Sequence, residues 1–109
     1  DPPTAAETPA QTISGCGALG LKITDESLPV ESLTACCNSH DACYGSSCQI
    51  KKRACDRGLK DCLAISCEFI LERQVQKTCQ GAAKLLYSGT MALSSQQFSE
   101  AQEKLSCRY

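Results

Sequence analysis

The stretch Cys36-Cys37-Asn38-Ser39-His40-Asp41-Ala42-Cys43-Tyr44 sets the chain's single histidine beside an acid, within a dense group of cysteines. A general base must titrate near neutral pH, and imidazole is the side chain that does so unperturbed. Histidine chemistry in this protein therefore falls to His40. The flanking cysteines are a means of holding its ring still. Zinc also favours such ligands, but ten cysteines, an even count at irregular spacing, favour a disulfide framework.

The cysteine spacing says how the ring would be held. Cys36 and Cys43 stand two helical turns apart, and so do Cys55 and Cys62, so each pair lies on one face of its helix. The simplest arrangement is an antiparallel helix pair with Cys36 bonded to Cys62 and Cys43 to Cys55. In that register His40 lies nearly level with Asp56, and two crosslinks bracket a His–Asp pair. Cys37 points about 100° away from Cys36 and needs another partner; Cys16, in a glycine-rich loop, is the natural one, and that bond would clamp the loop near Asp41. Cys48 and Cys67 sit beyond opposite ends of the pair, too far apart for a bridge. Cys48 is thus expected to bond Cys79 or Cys107, and Cys67 the other.

These positions demand helices, and the rest of the chain supplies them. A length of 109 residues suits one domain. Residues 1–12, rich in Pro, Ala, Thr and Glu, read as a mobile leader, and 13–109 as the folded domain. Gly15, Gly17, Gly20 and Pro29 mark 13–31 as a loop, with Leu19, Leu21, Ile23, Leu28 and Val30 available to the core or to the rim of a site. A first helix is expected from Ser32 or Leu33 to Tyr44, with Ser32 as N-cap and Gly45-Ser46-Ser47 as terminator. A second runs from about Lys51 to Glu72, with Gly58 inside it marking a close approach. Two further helical patterns cover Val75 to Tyr87 and Gln96 to Cys107. The fold class is mainly α, small and disulfide-rich: two long crosslinked antiparallel helices with additional C-terminal helices.

Such cysteine density belongs to an oxidising, hence extracellular, setting. The chain opens Asp1-Pro2-Pro3 with no basic start or apolar stretch, as an already processed secreted form would. No run approaches the roughly 18 apolar residues of a membrane helix. A formal charge of −1 with interspersed signs argues against a nucleic-acid partner. The basic run Lys51-Lys52-Arg53 reads as a solvated helix start.

The residues 36–44 resemble the Cys-Cys-x-x-His-Asp-x-Cys-Tyr signature of the secreted phospholipase A2 family, at every fixed position. Cys55-Asp56 followed by Cys62 is similar to that family's second-helix pattern, and Gly15-Cys16-Gly17 resembles the start of its calcium loop. The likeness covers roughly residues 13–67. The spacings of Cys62, Cys67, Cys79 and Cys107 are similar to the divergent group XII branch. The resemblance implies a secreted, calcium-dependent hydrolase of the sn-2 ester of glycerophospholipids, working as a monomer on a lipid aggregate or membrane surface. It implies His40 as the base that activates water, Asp56 as the acceptor of the other ring N–H, and Tyr44 as a hydrogen-bond partner of Asp56. It implies Ca²⁺ held by Asp41 and by the backbone carbonyls of Gly15, Gly17 and Leu19. The family loop commonly reads Cys-Gly-x-Gly-Gly, whereas this one reads Cys16-Gly17-Ala18-Leu19-Gly20. A leucine disfavours positive φ, so the loop is reshaped. That departure favours a rival reading: a catalytically weak or inactive relative that keeps the scaffold and binds lipid or a receptor. A purely structural cysteine-rich domain is a third.

Overall fold

The computed structural model describes residues 28–107, which hold three helices and, among the described residues, no strand. Helix α1 spans Val30–Tyr44, α2 Lys52–Glu68 and α3 Arg73–Lys104. None is long and apolar enough to cross a membrane. The expected leader and glycine loop lie outside the described residues. Of the loop's apolar positions, Leu28 is buried and Val30 packs partly against the core.

Helix α1 begins two residues before the expected start. Pro29, not Ser32, occupies the N-cap, with no side-chain cap. Its ring fixes φ near the helical value, and its carbonyl accepts the first bond from Leu33 N at 3.0 Å. The helix ends where Gly45 N–H turns back to the carbonyl of Ala42 and Ser46 N–H to that of Cys43. Its buried stripe is Leu33, Cys36, Cys37, His40 and Tyr44, and that of α2 is Cys55, Asp56, Leu59, Leu63 and Cys67. Both stripes follow helical periodicity, and each carries one ionisable member of the His–Asp pair.

Three expectations about the helices need correction. First, α2 stops at Glu68 instead of Glu72. Glu72 is instead the N-cap of α3, its carboxylate accepting from Val75 N at 2.8 Å. Gln76 Nε2 donates to the carbonyls of Cys67 and Glu68, which meets the C-terminal acceptors of α2. Second, Gly58 marks no close approach: a Cβ there would meet nothing within 4 Å among the described residues. Third, the two C-terminal helical patterns are one 32-residue helix. Its inward stripe passes through Cys79, Ala83, Leu86, Thr90, Ser94 and Gln102, and turns polar midway. The hydrophobic period fades there, although the helix does not: Thr90 and Ser94 are buried, and Ser94 Oγ is satisfied within the helix by donating to the Met91 carbonyl at 3.0 Å.

Four disulfides join described residues: Cys36–Cys62, Cys43–Cys55, Cys48–Cys107 and Cys67–Cys79. Cys37 is also disulfide-bonded, and the partner expected for it, Cys16, lies outside the described residues. The last two bonds resolve the alternatives left by spacing: Cys48 takes Cys107 and Cys67 takes Cys79. The core contains Leu33, Leu59, Leu63 and Leu86 together with Cys36, Cys37, Cys67 and Cys79. Sulfur thus takes the place of the large aromatics that this chain largely lacks.

Candidate active site

The bonds Cys36–Cys62 and Cys43–Cys55 hold the Cα atoms of their partners 5.6 and 5.7 Å apart. Between those crosslinks His40 Nε2 meets Asp56 Oδ1 at 2.8 Å. The imidazole is 2 % exposed. Tyr44, one turn after His40, donates its hydroxyl proton to the same carboxylate oxygen. Its ring packs on His40 with centroids 4.3 Å apart and meets the ring of Phe98, from α3, edge-on at 5.1 Å. The other carboxylate oxygen, Oδ2, accepts from Lys52 Nζ at 2.7 Å. Helix α3 thereby backs a dyad carried by α1 and α2.

Electrostatics decide the tautomer. Burial alone would raise the Asp56 pKa, but hydrogen bonds from Lys52, Tyr44 and His40 outweigh it and hold the carboxyl below its usual range. An ionised carboxylate only accepts, so Nε2 carries the hydrogen and Nδ1 the lone pair. Nδ1 is buried and has no hydrogen-bond partner among the described residues. A buried acceptor left without a donor is costly, and such groups gather where function requires them. The Tyr44 hydroxyl is pushed well above its ordinary pKa, first by burial and then by its bond to Asp56, so it remains a donor throughout the physiological range.

Asp41 lies beyond the dyad, in a groove between α1 and α3 that also contains Tyr44, Gln97, Glu100 and Lys104. Partial burial raises its pKa, with His40 acting in the opposite direction. Its carboxylate has no hydrogen bond or ion pair among the described residues. A hard cation needs several oxygen ligands, and no group of three or more metal-ligating side chains occurs among the described residues. The described side chains around Asp41 therefore do not by themselves make up such a site. Gly15, Gly17 and Leu19, whose carbonyls the resemblance assigns to the ion, lie outside the described residues. The cysteines of a zinc reading are disulfide-bonded and offer no thiolate.

Two site residues escaped the sequence reading. Lys52 sits in a basic run that reads as solvated, although its position four residues before Asp56 is the helical ion-pair spacing. Gln102 donates to the carbonyls of Tyr44 and Ser47, a long-range role with no local signal.

The lowered Asp56 pKa has a measurable sign. A carboxylate held below its unfolded value adds stability above that value and loses it as pH falls through the folded one. The melting temperature should therefore drop as pH falls below about 4, and Asp56→Asn should flatten that acid limb. The raised Asp41 acts oppositely, so the test is the difference between wild type and Asp56→Asn in melts from pH 7 to pH 2. An unchanged acid limb in the variant would reject this account of Asp56.

The family model described as group XII secretory phospholipase A2 precursor matches residues 2–109. The protein named group XIIA secretory phospholipase A2 from Mus musculus is 32 % identical over 108 residues, covering 88 % of this chain and 52 % of its own length. The protein of that name from Homo sapiens is 31 % identical over 106 residues, covering 87 % of this chain and 51 % of its own length. The chain thus spans about half the length of the curated relatives it matches. No solved structure matches it significantly.

Proposed function

The chain belongs to the group XII secretory phospholipase A2 family, and from that premise we propose that it is a secreted, calcium-dependent phospholipase A2 acting on the sn-2 ester of glycerophospholipids. The observation that carries the reading is His40, with Nε2 engaged by Asp56 and a buried Nδ1 lone pair. The scaffold for it is α1 and α2 as an antiparallel pair under two disulfides.

In this mechanism His40 Nδ1 takes a proton from water as the water oxygen attacks the ester carbonyl carbon. Asp56 stabilises the imidazolium that results, and Tyr44 and Lys52 keep its carboxylate ionised and oriented. His40 then returns the proton to the departing glycerol oxygen, leaving a fatty acid and a lysophospholipid. Asp41 and the carbonyls of Gly15, Gly17 and Leu19 would hold Ca²⁺, which when bound supplies positive charge for the substrate phosphate and the developing oxyanion. The protein works as a monomer at the surface of a lipid aggregate.

Mixed micelles of a phospholipid with different acyl chains at sn-1 and sn-2 test this. The sn-2 acid should be released with calcium, not with chelator, and Asp41→Lys should abolish the calcium response. The sequence departure at Leu19 favours the scaffold alternative, which predicts lipid binding without release at any calcium level.

A further inference from the structure

Five of the eleven Lys and Arg residues fall between positions 51 and 60, although the chain as a whole carries a formal charge of −1. Lys51, Lys52, Arg53, Arg57 and Lys60 therefore concentrate positive charge on α2. Lys52, Arg53, Arg57 and Lys60 border a concavity above Asp56, closed on the α3 side by Tyr87. Lys60 and Tyr87 also belong to a second concavity, the groove between α2 and α3, of about 400 Å³. Lys60 and Tyr87 form the border between the two hollows.

The groove differs in chemistry from its neighbour. Leu63 and Ala83 form its buried base, and Ala64 lies along it as an exposed small side chain. Two alanines facing across the helix pair leave a trough where larger residues would have filled it. No acidic residue lines it, while Lys60 and Lys84 do. Neither lysine has a hydrogen bond or ion pair among the described residues. None of His40, Asp41, Tyr44 and Asp56 lines it, so it is separate from the candidate active site.

An apolar trough with cationic groups on its rim is complementary to an amphiphile with an anionic head. We infer that the α2–α3 groove binds one free long-chain fatty acid, the alkyl chain lying along Leu63, Ala64 and Ala83 and the carboxylate between Lys60 and Lys84. The trough lies between two helices tied by the Cys67–Cys79 disulfide, and its volume of about 400 Å³ is on the scale of one alkyl chain. A second copy of the protein is a poorer occupant, because a two-fold contact through this groove would set lysines against lysines. The site needs no catalysis, so its test is independent of the proposed hydrolysis.

Calorimetric titration of the whole chain with palmitate, below its aggregation concentration, should give one-to-one binding. Each methylene that enters the groove is worth about a fourfold change in affinity, so octanoate should bind more than about 100-fold more weakly. Hexadecanol, with the same chain and no charge, should bind about three- to tenfold more weakly, and so should palmitate to Lys60→Gln/Lys84→Gln. Ala64→Trp, an exposed position whose substitution fills the trough, should weaken palmitate at least about tenfold. His40→Gln should bind palmitate as wild type does. Several results would overturn the assignment. They are undiminished binding to Ala64→Trp, equal affinity for palmitate and hexadecanol, or loss of binding in His40→Gln. A wild-type dimer dissociated by Ala64→Trp in sedimentation, or binding to anionic vesicles without binding to monomeric palmitate, would do so too.

Discussion

Replacing His40 with glutamine should lower kcat/KM for sn-2 hydrolysis by about 10²- to 10⁴-fold, the usual contribution of a positioned general base. The fall should lie in kcat, because the imidazole acts on water and not on the lipid. Glutamine fits the space and can donate to Asp56 Oδ1, which His40 reaches at 2.8 Å. It has no lone pair basic enough to take a proton from water. The crosslinks on either side, Cys36–Cys62 and Cys43–Cys55, keep the helices in register without the ring. Melting temperature should therefore move much less than rate. Asp56→Asn should also slow the reaction, by a different route. Its amide could present a donor to Nε2, turning the ring so that Nδ1 no longer carries the lone pair. Activity kept in His40→Gln would remove the proposed mechanism, whatever becomes of the fold.

How much of this was legible before the coordinates follows from which interactions are local. Cys36, His40 and Cys43 lie within two turns of one helix, and Cys55, Asp56 and Cys62 within two turns of another. Helical geometry alone relates residues at that range. The pairing of the four crosslinking sulfurs, and the level of His40 against Asp56, thus follow from spacing. What the sequence hides is of two kinds: contacts between distant residues, and local signals that neighbouring residues mask. The inward stripe of α3 becomes polar at Thr90 and Ser94, which are buried, so a search for apolar periodicity breaks one helix into two. Glu72 resembles a continuing helix residue until its carboxylate is found capping the next one. Lys52 was within reach of inference, since a lysine four residues before a buried aspartate is a known pairing, but its basic neighbours suggested a solvated run. The carbonyl ligands assigned to Ca²⁺ involve no side-chain chemistry, and a sequence can carry them only through resemblance.

Gln102 shows the same limit with the larger energetic consequence. It is 4 % exposed and spans more than fifty residues of sequence to reach the turn after α1. Its amide nitrogen donates to Tyr44 O at 2.8 Å and Ser47 O at 2.9 Å, and its oxygen accepts from Gln49 N at 3.1 Å. Gln49 holds φ at 70°, a left-handed conformation that this bond helps to fix. Gln102→Leu keeps the volume and removes all three bonds. The Tyr44 bond is buried and the other two part-buried, and a buried backbone group left unpaired costs about 1–3 kcal/mol. The turn can relax toward water, so the sum should be about 2–4 kcal/mol and not the full total. For a domain of this size that lowers the melting temperature by about 10–20 °C. The Cys48–Cys107 bond still ties the turn to the end of α3, so the loss should be local loosening and not dissociation of the helix. Hydrogen exchange distinguishes the two: the Gln49 amide should lose protection in the variant while the amides of α2 keep theirs. Because Tyr44 supplies both a carbonyl to Gln102 and a hydroxyl to Asp56, kcat should fall several-fold as well, with the His40–Asp56 bond still present. A variant that melts like wild type would show that the turn satisfies its backbone by other means and that Gln102 does not anchor α1.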